Sequence, residues 1–326
     1  MTQDRQFKVV IAGSGFEDNM AESEQLADIA DIVIDHGGAR ESLLGLVSGA
    51  DAILTDAAQI DDDILAAAGN LKVVAGYGVG VDQIDVAAAA KRGIAVCNSP
   101  EAMSTEVAEH AMGLLFALAR QSTFADADVR LRHSWDGFSK SYRPVVLRGK
   151  KLGIIGFGRT GSRSAGIAVG IGMKLLVFDP HKNADEVDIP AGWDVRFCDS
   201  LQELVGEADA VTLHVPLTEA TAKMINTEIL AKFKPGSLLV NVSRGGVLDQ
   251  DALYDALQSG QLAGAALDVF VPEPPNWDEP LLKLPNLILT PHMAWRSENS
   301  GRQMQSDAAS EVRRVLLGET PRWRLV

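Results

Sequence analysis

Three polar residues in the second half of the chain stand just beyond short apolar runs. Arg244 follows Leu-Leu-Val-Asn-Val-Ser at 238–243, Glu273 comes shortly after Ala-Leu-Asp-Val-Phe at 266–270, and His292 follows Leu-Ile-Leu-Thr-Pro at 287–291. An arginine presents a fixed fork of donors to a carboxylate, a histidine exchanges a proton near neutral pH, and an adjacent glutamate favours the protonated ring. Hydride transfer to a 2-oxo acid needs such a set: a cation for the carboxylate, a proton donor for the carbonyl oxygen, and an anion that keeps the donor charged. Upstream, the run Lys150-Lys151-Leu152-Gly153-Ile154-Ile155 enters Gly156-Phe157-Gly158-Arg159-Thr160-Gly161, a G-x-G-x-x-G pattern. Its glycines permit a tight turn, close approach of a pyrophosphate, and close helix packing, so that a helix amino terminus can hold the phosphates. A second apolar run from Met173 to Phe178 ends in Asp179, 23 residues beyond Gly156. That is near the roughly 20 at which an acid binds the adenosine ribose hydroxyls. Asp179 repels a 2′-phosphate and Pro180 cannot neutralise one, so NAD is favoured over NADP; His181 and Lys182 leave a weak tolerance of NADP open.

Those residues need a scaffold, and the apolar runs indicate one. Lys8 to Ala12, Ile32 to Asp35, Ala52 to Thr55, Leu71 to Ala75 and Ile94 to Cys97 alternate with Ala-rich helical stretches, the pattern of a parallel sheet covered by helices. The first run leads into Gly13-Ser14-Gly15-Phe16-Glu17-Asp18, which imitates a dinucleotide fingerprint but puts an acid where the third glycine belongs; it reads as an ordinary strand-to-helix turn. A long helix is predicted from Thr105 to Arg120, with a capping start near Ser104. The polar stretch 122–148, carrying Trp135, Phe138 and Tyr142, shows little periodicity and reads as an arm or surface excursion. Runs at Ala210 to His214, Ser237 to Asn241, Ala263 to Asp268 and Leu287 to Thr290 complete a doubly wound domain of six strands over 99–297. A helix from Ser300 to Leu317 is predicted to return to the first domain, which makes that domain discontinuous, 1–98 plus 298–326.

Composition narrows the function classes. The 326 residues carry 30 Lys and Arg against 44 Asp and Glu, a net charge of −14, and this field disfavours nonspecific binding to nucleic acid or to an anionic membrane. Cys97 and Cys198 belong to no ligand spacing, so reduced, half-buried thiols and no metal centre are expected. The amino-terminal residues lack the apolar core of a signal peptide and no stretch reaches transmembrane length, from which cytoplasmic residence is expected.

Several segments, spread over nearly the whole chain, resemble the D-isomer-specific 2-hydroxyacid dehydrogenase family. They are Gly78-Val79-Gly80-Val81-Asp82-Gln83-Ile84-Asp85, the glycine fingerprint, His214-Val215-Pro216-Leu217-Thr218, Asn241-Val242-Ser243-Arg244-Gly245-Gly246, Ala266 to Phe270, and Pro291-His292. The resemblance implies a Rossmann NAD-binding domain inserted in a flavodoxin-like substrate domain, with a 2-oxo or 2-hydroxy acid bound in the cleft between them. It implies that Arg244 binds the substrate carboxylate and carbonyl, that His292 is the acid/base, and that Glu273 pairs with it. It also implies that Asp268 contacts the nicotinamide amide and that Gly78, Val79 and Gly80 offer backbone N–H groups to the substrate carboxylate. The implied cofactor site takes Thr105, Gly156, Gly158, Arg159, Thr160, Gly161, Asp179, His214, Val215, Pro216, Thr221, Val242, Ser243, Asp268 and His292. A homodimer through the cofactor domain, with the 122–148 arm contributing, is the implied assembly.

The segment His292-Met293-Ala294-Trp295 is similar to one in the C-terminal binding protein corepressors of this family, which implies Trp295 beside the substrate; a hinge-packing aromatic is the other reading. Those corepressors carry an arginine where this chain has Gly76. Phosphoglycerate dehydrogenases, which the chain also resembles, place an arginine in the loop after the third strand, where this chain reads Asp56-Ala57-Ala58-Gln59-Ile60; an unphosphorylated substrate is therefore expected. Formate dehydrogenases of the superfamily pair the histidine with glutamine, which Glu273 argues against. The leading expectation is an NAD(H)-dependent dehydrogenase, and the alternative is an NAD(H)-sensing, corepressor-like interaction protein. The negative charge, and the lack of a long tail beyond Val326, weigh against the alternative.

Overall fold

The structure, a computed structural model, describes residues 6–35, 37, 40–135 and 143–326. The chain forms two compact units, Met1–Met103 with Arg296–Val326, and Ser104–Trp295. These divide at Met103/Ser104 and Trp295/Arg296, a few residues from the expected 98/99 and 297/298, and Ser99 is tied into the first unit. Its N–H donates to Gly78 O and its hydroxyl to Met304 O.

In the first unit, strands β1 (Phe7–Ala12), β2 (Ala30–Asp35), β3 (Ala52–Thr55), β4 (Val73–Gly76) and β5 (Ala95–Cys97) form a parallel sheet in the order β2-β1-β3-β4-β5. That is the flavodoxin-like order. Helices α1 (Met20–Leu26), α2 (Arg40–Val47), α3 (Asp62–Ala67) and α4 (Val86–Lys91) connect the strands. β3 and β4 are wholly buried, which is why both read as unbroken apolar runs. Asp61 and Asp85 cap α3 and α4 through their side chains. After β1, the Asp18 carboxylate accepts the Met20 N–H and so starts α1, as an ordinary turn residue does.

The second unit opens with α5 (Ser104–Arg120), whose apolar face buries Ala108, Ala111, Met112, Leu115 and Leu118. The next stretch is a helix, α6 (Ser122–Arg132), where no regular structure was expected. None of its residues is buried, so it lacks an apolar stripe; the i,i+4 pairs Asp126–Arg130 and Asp128–Arg132 line its surface instead. Trp135 beyond it is 88% exposed, while Phe138 and Tyr142 lie outside the described residues.

Strands β6 (Lys151–Ile155), β7 (Lys174–Phe178), β8 (Val195–Phe197), β9 (Ala210–Leu213), β10 (Ser237–Asn241), β11 (Leu262–Leu267) and β12 (Leu287–Leu289) then build a seven-stranded parallel sheet, ordered β12-β11-β10-β9-β6-β7-β8. The unexpected seventh strand is β8, a three-residue edge strand with no fully buried position. Helices α7 (Arg159–Gly170), α8 (Leu201–Glu207), α9 (Thr227–Leu230) and α10 (Gln250–Gln258) cover the sheet. Successive residues of β10 point to opposite faces: Leu239 joins the buried cluster that holds Leu204, Val205 and Leu253, and Val240 the one that holds Leu115, Ala165 and Ala168.

α11 (Ser300–Leu316) belongs to the first unit. Gln305 donates to the buried Glu22 carboxylate, and Arg313 grips Asp28 through both of its terminal nitrogens. Cys97 and Cys198 are free and buried rather than half-buried, and burial pushes the Cys97 thiol up to about 12. Among the described residues no helix is long and apolar enough to cross a membrane, and no cluster of three His, Cys, Asp or Glu is placed to hold a metal ion.

Candidate active site

β10, β11 and β12 are neighbours in the second sheet, so the loops at their carboxyl ends are adjacent, and Arg244, Glu273 and His292 lie in those loops. Gly245 brings the first two loops together: a Cβ there would overlap the backbone of Phe270, so only glycine lets the Arg244 turn approach this closely. His292 Nδ1 lies 2.6 Å from Glu273 Oε2, and Glu273 Oε1 accepts the Phe270 N–H at 2.9 Å. Burial pushes the Glu273 carboxyl up. The hydrogen bonds from His292 and Phe270, with the charges of His292 and Arg244, outweigh that and hold it below the ordinary glutamate value. An ionised carboxylate only accepts, so Nδ1 carries the proton of this bond and Nε2 is the nitrogen left for a substrate. Arg244 is half-buried; its Nη1 donates to Ser243 O, and its carbonyl accepts from the Asn241 side chain.

His292 itself has φ 48°, a left-handed conformation uncommon outside glycine. Its N–H donates to Asp268 O at 2.8 Å and Thr290 O at 3.1 Å. Asp268 lies beside this segment in space, at the end of β11. Its carboxylate is fully buried: Oδ1 accepts from the Thr290 hydroxyl and Met293 N–H, and Oδ2 from Ala294 N–H. Burial alone would raise it, but these donors and His110 keep it below the usual aspartate value. His110 and Thr290 were not singled out in the sequence. The available signal was a histidine on the apolar face of α5, one turn from Val107 and from Leu114.

The glycine-rich turn links β6 to α7, at the point where the strand order reverses between β9 and β6. Gly156 adopts φ 90°, and a Cβ there would lie 2.6 Å from His214 O; one on Gly161 would overlap Gly156 O. At Gly158 a Cβ would meet nothing within 4 Å, an open cradle at the amino terminus of α7 where Arg159 and Thr160 form the first turn. Asp179, at the end of β7, accepts the N–H groups of Phe157 at 2.8 Å and His181 at 2.9 Å. It thereby stands beside the glycine turn, as a ribose-binding acid should. These residues fit a dinucleotide.

The remaining candidates for cofactor binding follow β9 and β10 or begin α5. His214 and Val215 follow β9 directly, Pro216 O accepts from the Thr221 hydroxyl at 2.6 Å, Val242 is buried, and the Ser243 hydroxyl donates to Asn241 Oδ1. Thr105 is exposed in the first turn of α5, and Trp295 is half-buried at the end of the unit. In the first unit, Gly78, Val79 and Gly80 form the loop after β4. Ser99 N–H donates to Gly78 O and the Asn98 amide to Val79 O, and Val79 is 47% exposed. Asp56 follows β3 beside the Gly13–Gly15 turn, and a Cβ on Gly76 would press on Val81 at 3.3 Å.

A doubly wound sheet with a glycine-rich turn and an acid at its switch point defines a dinucleotide-binding domain, here carrying an Arg-Glu-His set. The family model described as D-isomer specific 2-hydroxyacid dehydrogenase, NAD binding domain, matches residues 112–294, and the chain belongs to that family. NAD is its cofactor. The hydroxypyruvate reductase of Thermotoga maritima is 40% identical over 278 residues, 84% of this chain and 87% of that protein. The D-3-phosphoglycerate dehydrogenase of Methanocaldococcus jannaschii is 39% identical over 295 residues, 90% of this chain and 55% of that one. The chain thus spans about half the length of the phosphoglycerate dehydrogenases it matches. Among solved structures, a glyoxylate reductase from Paecilomyes thermophila superposes with a TM-score of 0.88 at 28% identity, covering 98% of each chain. A D-lactate dehydrogenase from Aquifex aeolicus, complexed with NAD and lactic acid, gives 0.83 at 29% identity over 95% of this chain and 96% of that one.

Proposed function

We propose that this protein interconverts an unphosphorylated 2-oxo acid and the corresponding D-2-hydroxy acid, with Arg244, Glu273 and His292 as its catalytic set. The observation that carries the reading is the 2.6 Å bond between His292 Nδ1 and Glu273 Oε2 at the carboxyl ends of adjacent strands, close enough to Arg244 for its charge to act on Glu273. NADH, when bound, supplies the hydride. The Arg244 guanidinium orients the substrate through its carboxylate and draws electron density toward the carbonyl oxygen. His292 gives that oxygen the proton on Nε2, and ionised Glu273 stabilises the charged ring beforehand and fixes its orientation. In the oxidative direction, neutral His292 takes the hydroxyl proton. Asp56, in the loop where phosphoglycerate dehydrogenases place an arginine, supports a substrate without a phosphate, as do the names of the hydroxypyruvate, glyoxylate and lactate enzymes among the relatives.

The roles are tested by substitution. His292→Ala should lower kcat by a factor on the order of 10² to 10⁴ while NADH binding is kept; near-normal turnover would remove His292 from the chemistry. Glu273→Gln takes the anionic partner from the imidazolium. It should therefore move to lower pH both the acid limb of hydroxy-acid oxidation and the alkaline limb of oxo-acid reduction. Unshifted profiles would show that the two side chains are not coupled in turnover.

A further inference from the structure

Beneath the catalytic loop runs a chain of polar side chains that the reaction itself does not use. His110, on α5, places Nε2 3.1 Å from the Thr290 hydroxyl and 3.5 Å from Asp268 Oδ1, and the Thr290 hydroxyl lies 2.6 Å from the same Asp268 oxygen. A threonine hydroxyl has one proton. The short contact to a buried carboxylate commits that proton to Asp268, so the hydroxyl must accept from His110, and His110 carries its proton on Nε2. Asp268 in turn brackets the histidine of the site: its backbone oxygen takes the His292 N–H, and its carboxylate takes the N–H groups of Met293 and Ala294. Thr290 O shares the His292 N–H from the other side.

We propose that His110 and Thr290 are positioning residues for His292, acting through Asp268 as one hydrogen-bonded unit that holds the catalytic histidine in its left-handed backbone conformation. A non-glycine residue at φ 48° persists only where its surroundings fix it, and here both acceptors of the His292 N–H belong to Asp268 and Thr290. The anchor is firm because His110 projects from a helix whose neighbouring residues Ala111 and Leu114 are buried in the core. Loss of the Thr290 hydroxyl would leave Asp268 short of a donor and His110 with only the longer 3.5 Å contact to Asp268 Oδ1, and the His292 loop would relax away from the geometry that aims Nε2. The inference rests on the catalytic role assigned to His292.

The test measures kcat, KM and the NADH dissociation constant of the whole protein for Thr290→Val, Thr290→Ser, His110→Leu, His110→Gln and the double variant T290V/H110L, with His292→Ala alongside. T290V and H110L should each lower kcat by about 10- to 100-fold, the cost of a misaimed catalytic group, and leave KM and NADH affinity within about threefold. T290S, which keeps the hydroxyl, and H110Q, whose amide can replace Nε2–H, should recover most of that loss. The double variant should be no worse than the poorer single one, because both cut the same chain. Wild-type kcat in T290V, no rescue by T290S or H110Q, or losses that multiply in the double variant would each overturn the proposal. If T290V does not fold, H110L against H110Q decides the question. An H292A variant with normal turnover would instead sink the catalytic reading, whereas a crippled H292A beside a normal T290V would remove the positioning role alone.

Discussion

A methyl group added at Gly158 enters open space, whereas one added at Gly161 strikes the carbonyl oxygen of Gly156. The two glycines of one motif therefore separate fold from ligand. Gly161→Ala should destabilise the protein by about 1–3 kcal/mol, visible as a lower Tm, because helix and turn must move apart. Gly158→Ala should leave Tm unchanged and weaken NADH binding, since the new methyl occupies the space the pyrophosphate needs; unaltered affinity would place the phosphates elsewhere. The residues proposed to meet ligand drew notice in the sequence because their types are rare at the ends of apolar runs, as with Arg244 and His292. Those proposed to position them did not. Thr290 is an unremarkable strand-end residue, and His110 is 180 positions away from it along the chain; only folding makes them a pair.

At the scale of elements, the sequence yielded every strand with an apolar run and missed those structures held by other means. β8 has only three residues and sits at the sheet edge, and α6 buries none of its side chains. The difference between α5 and α6 is measurable. Amides of α5, whose face is buried, should exchange with solvent orders of magnitude more slowly than those of α6. Equal protection would mean that another surface covers α6, which is where a homodimer using the arm would show itself. The end of β9 offers a second test. Loss of water around the His214 ring pushes its pKa from the ordinary 6.5 down to about 4. The unfolded chain therefore binds a proton between these values that the folded chain refuses. This contribution to stability is complete above pH 6.5 and falls as pH drops toward 4, by up to about 3 kcal/mol. His214→Gln should flatten that part of the dependence of Tm on pH; an identical pH dependence would show that the ring is hydrated.

For the whole molecule, a net charge of −14 coexists with a site proposed to receive an anionic acid, so recognition there would fall to local cations, Arg244 first among them. The return helix of the first unit, α11, was legible because it carries a strong helical pattern, while the places where the units part carry no such pattern. We propose a homodimer as the working assembly, and light scattering that gives a monomer would dismiss it. The most direct measurement is NADH oxidation against glyoxylate, hydroxypyruvate, phenylpyruvate, 2-oxoisocaproate and phosphorylated hydroxypyruvate, with the configuration of each product determined. Rapid turnover of at least one unphosphorylated acid to its D-hydroxy product, with the phosphorylated acid poor, is the predicted result. Tight NADH binding with no turnover on any of the five would contradict the dehydrogenase reading and favour a nucleotide-sensing protein.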